Sequence, residues 1–549
     1  MATAVTAATK VGILTTKGLE DMLMLVLRNC KNVDTMKKIH SQMVKFSLTH
    51  SNFLVTKMID FCEKNGDIDY ACLLFKQVQE PNIYLFNSII RAYTQNKMYG
   101  SCIDMYTQLL LRRQAAESEE PVSPDSYTYP FVIRSCGGLT CADIGKQLHG
   151  HVFKFGLDSN HVIQNSLLDM YVKCCGEDSI TEAQNLFDEM TVRDVISWNS
   201  LISGYVKSGK VKRANVLFEE MPEKSIVSWT AMISGYTKMG CYREALNVFR
   251  RMQTVGGLEP DWVCLVAVLS GCAHLGALEV GEWVHFYAAK KGFLRKTRVC
   301  NTLMEMYAKC GHVDGALEVF DQMPSSERDV ISWSTMIVGL ANHGRAHDAI
   351  TLFKRMDVLP NEITFVGLLS ACGHAGLVDD GLRYFDSMRD DYDITPEIEH
   401  YGCLVDLLAR TGNQKRALDI INRMPMKADS AIWGSVLSSC RSARDVETAV
   451  VAAEHLAELE PDDTGNYVLL TNVYADLGKW DYVSMMRRFM RRRRMKKTPG
   501  CSLIELNGLV HEFLSGDDSM PFSNDICQVL HQLLTLHTSD DEDEVYVFL

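Results

Sequence analysis

Apolar residues recur along the chain at the spacing of short amphipathic helices. Between residues 195 and 207 they fall at Val195, Trp198, Leu201, Ile202 and Tyr205. This spacing places side chains on one face of a helix, and Gly209 stands where a helix would end. The next stretch carries a second stripe at Ala214, Leu217, Phe218 and Met221. The pattern therefore predicts two short helices joined by a tight turn.

The helix pair repeats along the chain. From Asn199, small or apolar residues follow at offsets of 5, 10, 15, 19 and 22, namely Gly204, Gly209, Ala214, Phe218 and Met221. Equivalent anchor residues are Thr56, Asn87, Pro130, Asn165, Asn199, Thr230, Val266, Asn301, Ser334, Val366 and Gly402. From Asn199 onward the anchors are 31, 36, 35, 33, 32 and 36 residues apart. Such a period predicts an all-α solenoid, because one short helix pair cannot bury its apolar face without a stacked neighbour.

Several segments depart from the repeat. The polar insertion 112–124 is expected to loop out, and the turn 175–181 is about three residues longer than in the standard unit. Residues 20–51 resemble a degenerate first repeat. After Asp429 the pattern changes to two related units, and residues 498–549 form a tail that ends in the acidic run 540–544.

Composition and charge limit the possible classes of function. The chain has 56 Lys and Arg against 69 Asp and Glu, a net charge of −13, so a nucleic-acid site must be local. Its 18 cysteines lack dense or paired spacing, which predicts buried, reduced thiols. We expect no membrane span, because no apolar run is long enough. Residues 1–19 lack Asp and Glu and include Lys10, Lys17 and several threonines, which predicts an organellar transit peptide.

Several short stretches of the sequence are similar to those of a known protein family. The chain resembles plant organellar pentatricopeptide repeat proteins in which P, L and S motifs alternate. The matching strings are 195–204 (VISWNSLISG), 227–235 (VSWTAMISG), 362–373 (EITFVGLLSACG) and 400–408 (HYGCLVDLL). Further strings, 432–435 (IWGS), 465–470 (GNYVLL) and 498–502 (TPGCS), are similar to the E1, E2 and E-plus extensions of RNA editing factors, mitochondrial ones in particular.

The resemblance implies a fold and a domain order. It implies a right-handed α-α superhelix of pentatricopeptide repeats over 20–429, followed by tetratricopeptide-like E1 and E2 repeats over 430–497. An E-plus-like tail then occupies 498–549. The implied function is sequence-specific binding of single-stranded organellar RNA, which directs cytidine-to-uridine editing by a deaminase-domain pentatricopeptide repeat protein acting in trans. Small organellar editing accessory proteins are implied as further partners, in a mitochondrion or alternatively a chloroplast.

The family reads one nucleotide with the fifth and the last residue of each motif. Carried over to this sequence, the pairs are Thr56 with Asn82 (adenine), Asn87 with Asp125 (uracil), Asn165 with Asp194 (uracil), Asn199 with Ser225 (cytosine, then uracil), Thr230 with Asp261 (guanine), Asn301 with Asp329 (uracil) and Ser334 with Asn361 (adenine). The apolar second residues Ile196, Val227 and Ile331 are implied to sandwich the base. The remaining pairs fall outside the code: Pro130 with Asn160, Val266 with Lys296, Val366 with Glu397 and Gly402 with Asp429.

A simpler interpretation of these polar residues exists. Polar side chains on a solenoid are often only solvated, and Asp before a helix is often an N-cap. Recurrence over seven repeats favours reading of RNA. The aromatic residues one place before the anchors are instead predicted to pack in the core; these are Phe86, Trp198, Trp229, Trp333 and Phe365.

We expect no enzyme activity, no cofactor and no metal. A zinc cytidine deaminase needs H-x-E and C-x-x-C spacings, because the metal activates water while the glutamate moves protons. Neither spacing occurs. His511 is followed directly by Glu512, and the cysteine spacing nearest to C-x-x-C is that between Cys136 and Cys141. We also expect the deaminase domain of the family, which the resemblance places after the TPGCS string, to be absent.

A basic cluster follows the repeats. It comprises Arg487, Arg488, Arg491, Arg492, Arg493, Arg494, Lys496 and Lys497. The cluster is either a solvated helix end or a contact with RNA phosphates near the edited base, and its position favours phosphate contact.

Two other functions compete with editing. One is a helical-repeat scaffold for proteins, which the acidic balance favours and the patterned anchors oppose. The other is an RNA-binding factor for splicing or transcript stability, which would use the same repeats. The E extension favours editing.

Overall fold

The computed structural model describes residues 16–30, 32–115, 121–174, 176–254, 257–443, 445–495, 500–506, 508–515, 528–530 and 532. The chain forms two compact units, residues 1–239 and 240–549. Of the predicted leader, residues 1–15 lie outside the described residues, and residues 16–19 belong to the first helix. The fold is that of an all-α superhelical repeat protein, as the repeat pattern predicts.

The first unit consists of consecutive helices joined by short turns. They are α1 (Thr16–Arg28), α2 (Val33–Lys45), α3 (Asn52–Asn65), α4 (Ile68–Gln77), α5 (Ile83–Gln95), α6 (Tyr99–Ala115), α7 (Thr128–Leu139), α8 (Ala142–Lys154), α9 (His161–Lys173), α10 (Glu177–Glu189), α11 (Val195–Lys207), α12 (Val211–Glu220) and α13 (Ile226–Lys238). The boundaries predicted for α11 are confirmed.

The second unit continues the same alternation and has a β-hairpin after its last repeat helix. Its helices are α14 (Tyr242–Thr254), α15 (Trp262–Leu275), α16 (Leu278–Lys291), α17 (Thr297–Lys309), α18 (Val313–Gln322), α19 (Val330–Asn342), α20 (Ala346–Lys354), α21 (Glu362–Ala375), α22 (Val378–Asp390), α23 (Ile398–Arg410), α24 (Gln414–Arg423), α25 (Ser430–Ala443), α26 (Val446–Leu459), α27 (Thr464–Asp476) and α28 (Trp480–Arg492). Two 3₁₀ turns cover Phe293–Arg295 and Ser325–Glu327, and strands β1 (Cys501–Leu506) and β2 (Leu509–Leu514) follow.

The first helix of each pair packs against the first helix of the next pair. In the first unit α3, α5, α7, α9, α11 and α13 form such a row, and in the second unit α15, α17, α19, α21, α23, α25 and α27 form another. Within each unit, a first helix that is followed by a second helix of the same unit also contacts it. The anchor residues therefore recur along one row of helices in each unit.

Aromatic pairs fill the space between helix layers. Phe187 meets Trp198 edge to face with ring centroids 4.8 Å apart, and Phe320 meets Trp333 in the same way at 5.0 Å. The five aromatic residues that precede an anchor are all buried. Their predicted role in core packing is confirmed.

Small residues allow the first helices to approach closely. A Cβ atom on Gly204 would lie 2.7 Å from Val172 Cγ2, and one on Gly235 would lie 2.7 Å from Val206 Cγ2. Gly209 ends α11 in the left-handed conformation, with φ of 74°, which glycine adopts without steric strain.

Two predicted loops are partly helical. The sequence predicts that the insertion 112–124 loops out, but α6 extends to Ala115, and the Arg113 guanidinium lies 4.4 Å from the centroid of the Phe155 ring. This cation–π contact favours continued helix. Likewise, α10 begins at Glu177, so the extra residues of the segment 175–181 lengthen a helix.

The tail contains a hairpin that the repeat pattern does not predict. Strands β1 and β2 pair antiparallel, with Cys501 opposite Leu514. The hairpin contacts the start of α16, where Glu505 Oε2 accepts a hydrogen bond from the Glu279 N–H at 2.7 Å and Oε1 accepts one from the Val280 N–H at 3.2 Å. An ion pair of 3.1 Å joins Glu512 to Arg243 of α14. The fold is thus all-α in its repeats, with a short β element after them.

Within the described ranges, no helix is both long and apolar enough to cross a membrane.

Because the first helices approach closely, a larger side chain at a contact glycine should destabilise the fold. Gly235→Val should destabilise the first unit by about 1–3 kcal/mol, because the added carbons overlap Val206 in a packed interface. Urea unfolding of the full chain measures this effect. The matched control is Gly100→Val in α6, where an added Cβ meets nothing within 4 Å, and the change should stay below about 0.5 kcal/mol. Equal destabilisation by both variants would contradict the close-approach explanation.

Candidate functional site

The structure brings five of the seven predicted reading pairs into direct contact. Asn87 Nδ2 donates to Asp125 Oδ1 at 3.0 Å, Asn165 Nδ2 to Asp194 Oδ2 at 2.9 Å, Asn199 Nδ2 to Ser225 Oγ at 3.3 Å, Asn301 Nδ2 to Asp329 Oδ1 at 3.1 Å, and Ser334 Oγ to Asn361 Oδ1 at 3.2 Å. Residues 26 to 38 positions apart in the chain therefore form single polar units.

The last residue of each pair binds the start of the next first helix. Asp194 Oδ1 accepts the Ser197 N–H at 2.8 Å, and Asp329 Oδ1 accepts the Ser332 N–H at 2.8 Å. Asn361 Oδ1 accepts the Thr364 N–H at 3.1 Å. These are N-cap hydrogen bonds, which satisfy helix N–H groups that have no partner within the helix. The N-cap interpretation and the reading interpretation thus apply to the same side chains.

The other two pairs are arranged differently. Thr56 Oγ1 donates to the Asn52 carbonyl at 2.7 Å, while Asn82 Oδ1 accepts the Leu85 N–H at 3.0 Å. Thr230 Oγ1 is buried and has no hydrogen-bond partner among the described residues. Asp261 belongs to the second unit and caps the Cys264 N–H at 2.8 Å.

Capping also alters the acidity of the aspartates. Burial would raise the pKa of Asp194, but hydrogen bonds from the Ser197 N–H and the Asn165 amide outweigh it and lower the pKa from its ordinary value. The pKa of Asp329 is lowered in the same way, against burial, by hydrogen bonds from Ser332 and Asn301. Both carboxylates are therefore ionised at neutral pH and accept hydrogen bonds only.

Large apolar side chains are exposed at the second position of most motifs. The sequence analysis named Ile196, Val227 and Ile331. The structure adds Phe53, Tyr84, Tyr127 and Val162 in the first unit and Val263 and Ile363 in the second. Their signal in the sequence is an apolar residue three places before each anchor. Exposed apolar residues in a regular row indicate a binding surface.

One repeat junction shows how these residues combine. A cavity of about 430 Å³ lies between α19 and α21, lined by Ile331, Ser334, Asn361 and Ile363 together with Lys309 at the end of α17. Ile331 and Ile363 are 55% and 58% exposed. The lining of this cavity thus combines two exposed aliphatic side chains with the polar pair Ser334 and Asn361. Such a site suits a flat ring with a polar edge.

The junctions outside the code lack a polar pair. The anchors Pro130, Val266 and Val366 carry no amide or hydroxyl group. Glu397 instead forms a reciprocal cap with His400, whose Nδ1 lies 3.0 Å from the Glu397 N atom. At Gly402 a second cavity of about 360 Å³ includes Asp429, which caps the Ile432 N–H at 2.9 Å.

Positive charge is concentrated at the end of the last helix. Arg487, Arg488, Arg491, Arg492, Arg493 and Arg494 are all exposed on α28 or in the turn after it, and Lys496 and Lys497 lie outside the described residues. The Arg493 guanidinium lies 5.0 Å from the centroid of the Phe489 ring.

The sequence analysis missed a further set of basic residues. Lysines recur in the last turn of first helices, eight residues after the anchor, at Lys173, Lys207, Lys238 and Lys309. Lys173 pairs with Asp169 at 2.6 Å and Lys309 with Glu305 at 2.8 Å. Their regular offset from the anchors is the signal that would have revealed them.

No group of three or more His, Cys, Asp or Glu residues within the described part of the chain is arranged to hold a metal ion.

Comparison with known families identifies the repeats. The PPR repeat matches residues 84–113, 227–256, 298–327, 331–359 and 363–392, and the PPR repeat family matches residues 193–227. The E motif matches residues 443–505.

Solved structures of low sequence identity also resemble the chain. The crystal structure of the pentatricopeptide repeat protein PPR10 from maize is 18% identical with a TM-score of 0.48, over 86% of this chain and 73% of that one. PPR10 in complex with an 18-nt psaJ RNA element is 16% identical with a TM-score of 0.43, over 87% of each chain.

Relatives in Arabidopsis thaliana cover nearly the whole chain. Pentatricopeptide repeat-containing protein At2g20540 is 54% identical over 95% of this chain and 96% of its own length. Pentatricopeptide repeat-containing protein At5g56310 is 41% identical over 91% and 94% respectively. With repeats, an E motif and relatives of this similarity, the chain belongs to the plant pentatricopeptide repeat family, in the class with alternating P, L and S motifs and an E extension.

Proposed function

We propose that this chain binds single-stranded RNA and reads one nucleotide at each coded repeat junction. The observation that carries the proposal is the cavity whose lining combines Ile331 and Ile363 with Ser334 and Asn361. An unpaired base has two apolar faces and a polar Watson–Crick edge, so it matches these aliphatic side chains and this polar pair.

The N-caps give each pair a defined hydrogen-bonding character. Asn361 Oδ1 accepts from the Thr364 N–H and hydroxyl, which leaves the Nδ2 group to donate to a base. Adenine and cytosine carry a ring-nitrogen acceptor on this edge. Asp329 can only accept, and it suits the N–H of uracil or guanine. This chemistry supports adenine opposite Ser334 with Asn361, and uracil opposite Asn301 with Asp329.

The proposed target follows from the order of the pairs. With the last motif about four nucleotides upstream of the edited cytidine, as the family register implies, it reads 5′-A-U-n-U-C/U-G-n-U-A-n-n-n-n-n-C. Here n marks a nucleotide opposite an uncoded pair or downstream of the last motif.

We further propose that the chain specifies a cytidine for editing and leaves the chemistry to a deaminase acting in trans. Binding both RNA and deaminase would raise the concentration of the enzyme at one cytidine. Exposed apolar side chains on α28 support a protein contact there, since Trp480 is 64% and Met485 is 51% exposed. We also propose that the repeat array ends at residue 429 and that the E1 and E2 repeats end at residue 497.

The uncoded junctions have a different proposed role. Val266 and Val366 offer a base no hydrogen-bonding side chain, which supports binding of small editing accessory proteins at the L motifs. We place the protein in an organelle, because the composition of residues 1–19 fits a transit peptide, and we favour the mitochondrion because the chain resembles mitochondrial editing factors. A relative that is 34% identical is named chloroplastic, so the plastid is the alternative.

Substitution of the fifth residue of a motif should change the base that this motif prefers. Asn301→Thr should shift the preference at its nucleotide from uracil to guanine by about tenfold, or about 1.4 kcal/mol. The reason is that threonine leaves room for a purine while Asp329 still accepts an N–H. Binding to the proposed target RNA, with uracil or guanine at that nucleotide, measures the change. Asn165→Thr is the matched control and should act only at its own nucleotide. Unchanged preferences in both variants would refute base reading.

The basic cluster should contribute to the salt dependence of binding. Arg491→Gln combined with Arg492→Gln should lower the slope of log affinity against log salt by about 1.4, since each phosphate contact on a single strand contributes about 0.7. The control is Lys415→Gln with Arg416→Gln on α24, an equal loss of exposed charge. The same slope for wild type and both variants would assign the arginines to the solvated surface.

Editing and RNA binding should separate at α28. In a plant that lacks the protein, one or more cytidines preceded by the predicted bases should lose conversion in organellar cDNA. A transgene with Trp480→Ser and Met485→Ser should fail to restore conversion yet bind the target RNA normally, because a protein contact is lost. Val216→Ser on α12, 55% exposed in wild type, is the control and should restore it. Intact editing with altered splicing or transcript abundance would favour the alternative RNA functions.

A further inference from the structure

A buried hydroxyl group lies behind the reading pair at Asn301. Ser332 is fully buried in the first turn of α19. Its Oγ lies 2.7 Å from Asn301 Oδ1 and 2.8 Å from Asp329 Oδ1, and it can donate to either. When Ser332 donates to Asn301, both ends of the Asn301 amide are engaged, the oxygen by Ser332 and the nitrogen by Asp329.

The same arrangement occurs at two other junctions. Thr128 is fully buried, and its Oγ1 donates to Asn87 Oδ1 at 2.7 Å or to Asp125 Oδ1 at 3.0 Å. Thr364, also fully buried, has its Oγ1 2.7 Å from the Ser334 hydroxyl oxygen and donates to Asn361 Oδ1 at 2.9 Å. The hydroxyl comes three residues after the last reading residue in each case.

At the Asn165 junction the hydroxyl is present without the contact to the asparagine. Ser197 occupies the equivalent position, but its Oγ donates to the Asp194 main-chain carbonyl at 2.7 Å. Asn165 Oδ1 is buried and accepts no hydrogen bond from any residue that the structure describes. The Asn165 amide is therefore held at its nitrogen alone, by Asp194 at 2.9 Å.

We propose that the buried hydroxyls of Thr128, Ser332 and Thr364 are positioning residues for RNA recognition. They hold the reading side chains in one orientation and increase discrimination between bases without contacting RNA themselves. The inference rests on the proposed function and deepens it, because it adds a third residue to each of these reading pairs.

The physical reason is the chemical asymmetry of the reading groups. An amide presents a donor at one end and an acceptor at the other, and a rotation about its last side-chain bond exchanges them. A hydroxyl hydrogen directed at Oδ1 opposes that rotation, because the rotated amide would lose the bond and leave a buried polar group unpaired. When a hydroxyl already holds the reading side chain in the correct orientation, less free energy is lost in orienting that side chain as the correct base binds.

The experiment uses the full chain and compares uracil with cytosine at the nucleotide that Asn301 reads. Ser332→Ala should reduce the preference for uracil by about tenfold, equivalent to about 1.4 kcal/mol. The helix cap persists in this variant, since Asp329 still accepts the main-chain N–H of residue 332. Ser332→Thr should retain the preference, because threonine occupies this position at Thr128 and Thr364.

A matched control and a second variant separate positioning from folding. Ser197→Ala should leave base preference at the Asn165 nucleotide within about twofold, because the Ser197 hydroxyl does not contact Asn165. Thr128→Val keeps the shape of the side chain and should lower preference at the Asn87 nucleotide. Thermal unfolding confirms that each variant is folded.

The outcomes also separate this inference from the function on which it rests. A wild-type chain that binds RNA without base preference at the Asn301 and Asn87 nucleotides would refute the proposed reading and the inference together. If wild type discriminates, and Ser332→Ala and Thr128→Val discriminate equally well, the positioning role is wrong while the proposed function stands. A uniform loss of affinity for all four bases would assign the hydroxyls to stability alone.

Discussion

At the coded junctions, the hydrogen bond from the start of a first helix to the last side chain of the preceding motif is the interaction on which the rest of the structure depends. Without it, N–H groups at the start of these helices would lose a partner. Each such cap contributes about 1 kcal/mol to stability. It also fixes where Asp194, Asp329 and Asn361 point. The side chain that caps the start of one first helix is therefore the side chain that contacts the reading residue of the preceding first helix.

The packing of each first helix explains which side chains remain for a ligand. Trp333 is buried against Phe320, and residues two positions apart on a helix point to different faces. Ile331 is consequently directed away from the core, and Ser334, three residues later, shares its face. The lining of the cavity follows this face along α19 through Ile331, Ser334, Thr335, Val338 and Asn342. Burial of the aromatic residue thus determines the exposure of the aliphatic one.

Local patterns predicted most of the fold, and they failed where distant contacts decide the structure. The spacing of apolar residues predicted α11 to its last residue, whereas the partners of Asn87 and Asn301 were implied by the family resemblance. The hairpin that contains Glu505 was not predicted, because its contacts lie with Glu279 and Val280, more than two hundred residues earlier in the chain. The contact of the Ser332 hydroxyl with the reading pair was not predicted either, since a serine in a first helical turn looks the same in the sequence whether or not it contacts a reading residue.

The same caps give the reading residues a fixed chemical state. Hydrogen bonds at the helix start lower the pKa of Asp194 and that of Asp329 from their ordinary values despite partial burial. The carboxylates remain hydrogen-bond acceptors throughout the neutral pH range, and an amide such as Asn361 does not titrate. A histidine in either position would exchange donor and acceptor character near neutral pH and blur the distinction between bases. The requirement for a strong cap at the start of a helix therefore selects the side chains whose hydrogen-bonding character is most constant.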